Sequence, residues 1–264
     1  MKQQALAAKR FGAAAQAYLT SSTHATGVDL ERLTELARGL GQPVALDLGS
    51  GPGHAAYALA QGGALVTASD LSAEMLAVVA QEAERRGLAS LQTRQGAAER
   101  LPFPEASFDL VVTRYSAHHW VYVPAALREV RRVLKPGGTL VIVDAVAPEA
   151  PVADTLLQTL ELLRDPSHVR HYRLTEWAAL LEAAGFAAPK SDVWTLPLEF
   201  ASWVARMETS ELRAKAVRDV LAKAAEEARR HFQVQPDGSF VLDVVWLETT
   251  PSTDETSADE TSAD

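Results

Sequence analysis

The run Val44-Ala45-Leu46-Asp47-Leu48-Gly49-Ser50-Gly51-Pro52-Gly53-His54 constrains this chain more than any other stretch. A short apolar segment (VALDL) reads as a buried parallel strand, and three glycines at alternate positions follow it at once. Ala55 to Ala60 then opens at helical spacing. Strand, glycine turn and helix together present backbone N–H groups and a helix N-terminus to a ligand. Glycine, lacking Cβ, lets ligand and backbone approach closely. The spacing is G-x-G-x-G with an acid two residues before the first glycine, not the G-x-G-x-x-G of dinucleotide-binding folds.

A βα rhythm follows. Strands are predicted at 44–48, 64–69, 90–95, 108–113 and 139–146, with helices between them at 54–61, 73–86 and 124–134. Right-handed crossovers make this an open α/β sheet with helices on both faces. Two helices, 3–19 and 29–40, precede it as a helical cap. Beyond it the pattern predicts a helix over 152–163 and one opening at Thr175 as N-cap and closing at Gly185. A sixth strand at 191–198, helices at 200–207 and 210–231, and a last strand at 240–247 complete the chain. No linker divides it, so residues 1–249 read as one domain: a cap to residue 40, a ligand-binding core over 41–146 and a substrate-side segment over 147–249. Residues 250–264 read as a disordered acidic tail, because the last eleven hold five acids, no base and nothing apolar larger than alanine.

Composition narrows the classes of function. A net charge of −9 lacks the concentrated basic face that nucleic acid requires. With no cysteine, disulfides, thiolate nucleophiles and cysteine-ligated metals are excluded. No apolar run approaches the roughly 20 residues of a membrane span. The first residues lack the apolar centre of a secretory signal, so a cytoplasmic protein is expected.

Four features fall at the C-terminal ends of successive strands, where open α/β sheets bind ligands. They are the Asp47 glycine turn, then Asp70-Leu71-Ser72, then Gly96 through Phe103, and then Arg114 through Trp120. An acid at position 70 can accept two hydrogen bonds from a ribose diol. A Lys135-Pro136-Gly137-Gly138 turn introduces the fifth strand.

DLGSGPGH, SDLSAEML, GAAERLPFPEASFDLV and LREVRRVLKPGGTLVIVD, in that order, resemble class I S-adenosylmethionine-dependent methyltransferases. The resemblance is to the small-molecule branch that includes ubiquinone/menaquinone biosynthesis C-methyltransferases. It implies a Rossmann-like fold with a seven-stranded, mainly parallel sheet whose last strand is antiparallel. It also implies S-adenosyl-L-methionine as cofactor, lined at its methionine part by Asp47, Gly49, Ser50, Gly51 and Gly53. Asp70 would hold the ribose, Leu71 and Met75 would pack on the adenosine, and Ala97 and Ala98 would meet the adenine edge. The family often has Asp where this chain has Ala97, so backbone or Glu99 would have to replace that contact. Arg114 and Tyr115 would flank the methyl, and Tyr18 would close over the cofactor, although a packing role for Tyr18 is equally open.

A sulfonium methyl is already activated, so proximity and orientation carry most of the catalysis. A base is needed only where the nucleophile must lose a proton. His118 and His119, next to the expected methyl position, are the candidates, with a structural wall as the alternative. The segment Arg164 to Arg173 gathers three arginines and two histidines, of which Arg164, His168 and Arg170 would bind an anionic small-molecule substrate. A solvated, salt-bridged loop is the competing reading. No metal is expected at His168 and His171, because no acidic partner is visible beside them in the sequence. A non-catalytic S-adenosylmethionine-binding regulator and an NAD-dependent oxidoreductase stand as alternative functions.

Overall fold

The fold was obtained as a computed structural model, which describes residues 2–19 and 25–252. The chain runs α1 (Gln3–Leu19), α2 (Val28–Gly39), β1 (Val44–Leu48), α3 (His54–Gln61), β2 (Leu65–Asp70), α4 (Ala73–Arg85), β3 (Leu91–Gln95) and β4 (Phe108–Arg114). A single 3-10 turn, Ala117–His119, leads into α5 (Val123–Val133) and β5 (Leu134–Ala145). Then follow α6 (Pro151–Arg164), α7 (Leu174–Ala183), β6 (Lys190–Leu198), α8 (Phe200–Arg206), α9 (Glu211–Lys223), α10 (Glu226–His231) and β7 (Phe240–Thr249). None of the described helices is long and apolar enough to cross a membrane.

The seven strands form one sheet in the order β3-β2-β1-β4-β5-β7-β6. Strands β1 to β5 pair in parallel, and β7 runs antiparallel to both β5 and β6. From β1 the chain moves outward through β2 and β3, then returns to lay β4 on the other side of β1. That reversal opens a crevice at the carboxyl ends of β1 and β4, where open sheets bind ligands.

Alternation along the strands fills two layers. Leu46, Val111, Leu140 and Ile142 face α5 and α7, through Leu127, Val130 and Trp177. Ala45, Leu110, Val112 and Val141 face α2, α3 and α4, through Leu33, Leu59 and Val79. A third cluster joins α6 to α8, α9 and α10 around Trp203, Val217, Phe232 and Phe240.

Three local predictions are corrected. Thr175 is not the N-cap of α7, which begins at Leu174 after Arg173; Glu176 Oε2 reaches back to the Arg173 N–H at 2.9 Å, while Thr175 bonds Glu149. The helix expected over 210–231 is two helices, broken at the extended Ala224 and Ala225. Alanine favours helix, so the break is tertiary: it lets Val217 and Leu221 of α9 and Ala228 of α10 share one apolar cluster with α6. Lys135 to Gly138 is not a separate turn but a bulge within β5, which already pairs Leu134 with Phe108 before the register shifts. Of the expected acidic tail, residues from 253 onward lie outside the described residues. Thr250 and Ser252 are tied to the Phe186 corner, through Ala187 N to Thr250 O and Ser252 N to Gly185 O.

Candidate active site

The crevice continues into a cavity that α1 crosses. Gln4, Ala7, Phe11 and Tyr18 of α1 line it, opposite the glycine turn. Side chains on both rims hold α1 there. Gln4 Nε2 donates to Glu99 Oε2 at 2.9 Å, Gln3 Nε2 to Ser167 O at 2.6 Å, and Arg10 pairs with the buried Asp165 at 3.2 Å. Tyr18 Oη meets Met207 Sδ at 2.9 Å.

At one end stands the turn after β1. Asp47 is buried, and its Oδ2 accepts the Ala56 N–H at 2.9 Å, which ties the strand to the first turn of α3. Its Oδ1 has no hydrogen-bond partner, and neither has Ser50 Oγ, although both are buried. Burial pushes the Asp47 carboxyl up to about 7, against the pull of the Ala56 N–H and of Arg114. Gly49, Gly51 and Gly53 all take left-handed φ values. A Cβ on Gly49 would sit 1.9 Å from Ser116 Oγ, whereas one on Gly51 would meet nothing within 4 Å. The turn is therefore packed from behind at Gly49 and open at Gly51.

Asp70, at the end of β2, braces this turn: Oδ2 accepts from Gly51 N at 2.9 Å and Oδ1 from Ser72 N at 2.8 Å. Burial raises its pKa. Ser72 caps α4 through Met75 N at 3.1 Å, which brings Met75 and Leu71 to the cavity wall. Gly96, Ala98 and Glu99 line the same end.

The other end is polar and rich in imidazoles. His118 Nδ1 lies 2.6 Å from Asp144 Oδ1, and His119 Nδ1 lies 3.0 Å from Ser167 O. Behind them His168 Nε2 meets Gln158 Oε1 at 3.0 Å, and His171 Nδ1 meets Ala145 O at 3.1 Å. Burial lowers the pKa of His118, His119 and His168, so each stands as a neutral imidazole. Burial raises Asp144 to about 6. Arg164 lines the cavity over the Trp203 ring, with Nη1 3.3 Å from Glu161 Oε2 and Nε 3.0 Å from Trp203 O. Leu198, Leu242 and Arg206 complete this end.

Tyr18, Asp47, Gly49, Ser50, Gly51, Asp70, Leu71, Met75, Ala98, Arg114, Tyr115, His118, His119 and Arg164 thus meet in one cavity. Four expected residues do not reach it. Gly53 is the left-handed N-cap of α3, packed on Tyr57 and Val79. Ala97 is outside the cavity lining, in the turn closed by its bridge to Arg100. Arg170 points outward to Asp154 and Glu176, so it is the salt-bridged loop residue of the competing reading. His168 is buried one layer behind the wall. Arg114 lines the cavity, yet its guanidinium is buried against Asp29 of α2 as an ion pair. Glu99 lines the cavity, held there by the Val121 N–H on Oε1 and the Gln4 amide on Oε2.

Sequence reasoning missed Asp144, Glu161, Trp203 and Arg206. Asp144 carried a signal, as an acid near the end of an apolar strand. Glu161 carried a weaker one, as an acid at the inward spacing of Leu157, Leu160 and Arg164. It supplies the acidic partner whose absence argued against a metal beside His168 and His171.

The profile of a family described as a methyltransferase domain matches residues 46–142. The chain is 50% identical over 196 residues to the uncharacterized protein YafE of Escherichia coli, covering 74% of this chain and 95% of that one. It is 39% identical over 222 residues to the uncharacterized methyltransferase YcgJ of Bacillus subtilis, covering 84% and 88%. The solved structure of YcgJ superposes with a TM-score of 0.79 at 35% identity over 84% of this chain and 99% of that one. A demethylmenaquinone methyltransferase of Chlorobaculum parvum is 34% identical over 116 residues, 44% of this chain and 46% of its own length.

Proposed function

The chain belongs to the methyltransferase family and has its class I fold, and from that premise we propose that it moves a methyl group from S-adenosylmethionine to a small-molecule acceptor. One observation carries the reading: a single cavity joins the open glycine turn and Asp70 at one end to His118, Arg164 and Trp203 at the other.

The residues present fit the cofactor. Asp47 Oδ1 and Ser50 Oγ are buried polar atoms without partners at the turn, and suit the ammonium and carboxylate of an amino acid. Open space at Gly51 admits the ligand against the backbone. Each Asp70 oxygen accepts one backbone N–H and keeps lone pairs for a ribose hydroxyl. Leu71 and Met75 offer an apolar face to the adenosine. The bound cofactor supplies a methyl group already activated on a sulfonium.

The protein is left to orient the acceptor, exclude water and take up a proton where the nucleophile carries one. Because α1 crosses the cavity, a small acceptor fits better than a macromolecular one. Leu198, Trp203 and Leu242 suit an apolar body, while Arg164 and Arg206 suit an anionic or oxygen-bearing group. On this reading His118, hydrogen-bonded to Asp144, accepts the proton.

Calorimetric titration with S-adenosylmethionine, S-adenosylhomocysteine and NAD tests the cofactor. Binding of the first two without heat from NAD is expected; the reverse would overturn the reading. A library of small acceptors, assayed by homocysteine release with mass spectrometry of products, then tests transfer. Tight cofactor binding with no turnover on any acceptor would favour a binding protein.

A further inference from the structure

We propose that Glu161, His168 and His171 form a site for one divalent first-row transition cation, of the zinc class, in the wall of the cavity. Each of the three offers a ligand atom within 4.8 Å of those of the other two. All are buried, at 5%, 6% and 2% exposure respectively. They come from α6 and from the loop that follows it.

Hydrogen bonds fix the tautomers. His171 Nδ1 faces a backbone carbonyl, Ala145 O, which can only accept, so Nδ1 carries the proton, and in the neutral ring Nε2 holds a lone pair. Gln158 Nε2 donates to Asp154 Oδ1 and to His171 O, which orients the amide and leaves Oε1 as an acceptor. That oxygen faces His168 Nε2, so Nε2 carries the proton and Nδ1 holds the lone pair. These two nitrogens, His168 Nδ1 and His171 Nε2, are both buried without a hydrogen-bond partner. Glu161 Oε1 stands 3.9 Å from His171 Nε2, while Oε2 is engaged by Arg164 at 3.3 Å.

With both rings neutral, two lone pairs and a carboxylate oxygen converge with no donor among them, an arrangement that is costly in a buried site. A cation satisfies all three at once. Two neutral imidazoles and one carboxylate are the ligand set of open transition-metal sites. The partners on the far nitrogens are those that orient ligand histidines in such sites. Ligand atoms lie about 2.0–2.2 Å from zinc, so the side chains need close by only on the order of an ångström. The neighbouring group of His118, Asp144 and His171 is less suited, because His118 Nδ1 is already committed to Asp144.

Glu161 and His171 line the cavity, so the remaining coordination positions face it. On the methyl-transfer reading, their occupant would be an oxygen of the acceptor; metal binding itself does not depend on that reading.

The test is calorimetric titration of the metal-free full chain with Zn2+, repeated for Glu161→Gln and His171→Ala, with melting curves to verify folding. One ion per chain is expected, weakened by more than about tenfold in either variant. Imidazole nitrogen NMR of the wild-type chain provides a second measurement that needs no variant. Zn2+ should move His168 Nδ1 and His171 Nε2 while leaving their protonated partners in place. Absence of stoichiometric binding, or binding that leaves these two nitrogens unmoved, would overturn the site. Neither readout uses methyl transfer, so loss of that reading would show separately in the cofactor titration.

Discussion

His118 stands in the 3-10 turn after β4 and Asp144 near the end of the neighbouring parallel strand β5, and the imidazole Nδ1 lies 2.6 Å from the buried carboxylate. Asp144 also accepts the His118 backbone N–H at 3.3 Å and the Ala145 N–H at 2.8 Å, so its own position is fixed. An ionised carboxylate only accepts, so Nδ1 holds the proton and Nε2 is left as the basic nitrogen.

If His118 takes a proton from the acceptor, Asp144→Asn should lower turnover by about 10²–10⁴-fold. The affinity for S-adenosylhomocysteine should stay near the wild-type value, because Asp144 is not at the glycine turn. Homocysteine release at saturating cofactor gives the first quantity, calorimetry the second. Unchanged turnover would remove the base role from the pair.

Residues that act through their own neighbours in the chain were legible before the fold was known. Asp47, Gly49, Gly51 and Asp70 end strands that the hydrophobic runs announce, and Met75 follows from the capped helix after them. The strands of the sheet were legible for the same reason, whereas the antiparallel direction of the seventh came from the family resemblance. Pairings between elements were not. Nothing local joins Asp144 in β5 to His118 after β4, and the turn that folds His171 back onto Glu161 of α6 carries no signal of its own. Arg164 and Arg170 sit in one basic run and look alike in sequence. Only the packing of α6 sends the first over Trp203 and the second out to Asp154 and Glu176. The break at Ala224 and Ala225 runs against local preference, so no reading of propensity could place it.

Asp70 braces Gly51 as well as facing the cavity, so its removal should loosen the turn and remove the ribose acceptors together. Asp70→Ala is expected to weaken S-adenosylhomocysteine binding by at least about tenfold, or 1.4 kcal/mol. Unaltered affinity in calorimetry would count against both roles.

Asp47 couples the turn to pH. Its pKa rises from 3.8 in the unfolded chain to about 7 in the folded one, chiefly through burial. Between those values the folded state binds more protons than the unfolded state, so stability falls as pH rises through the window and the loss is complete above about 7. Asp144 contributes with the same sign up to about 6. Asp47→Asn keeps an acceptor for the Ala56 N–H without the buried charge. Ligand-free Asp47→Asn should therefore exceed wild type by up to about 4 kcal/mol at pH 8 and converge with it near pH 4. Denaturant unfolding at the two pH values measures the difference; a gap that does not narrow at low pH would contradict the assignment. The same variant should bind S-adenosylmethionine more weakly, since the charge facing the ammonium is gone.

Two glycines give opposite expectations for one substitution. Gly39 ends α2, and a Cβ there would meet nothing within 4 Å. Gly39→Ala should be neutral or stabilising by up to about 1 kcal/mol, through a less flexible unfolded chain. Gly49 has φ +70, and its Cβ would overlap Ser116 Oγ at 1.9 Å. An L-residue in that conformation costs roughly 1–2 kcal/mol before the overlap is counted. Ser116 can move only by disturbing its contact with Trp120 Nε1 at 3.3 Å, in the segment that carries His118. Gly49→Ala should thus lower the melting temperature and abolish cofactor binding together. A Gly49→Ala chain that melts like wild type and still binds S-adenosylhomocysteine would show that the turn yields where the packing says it cannot.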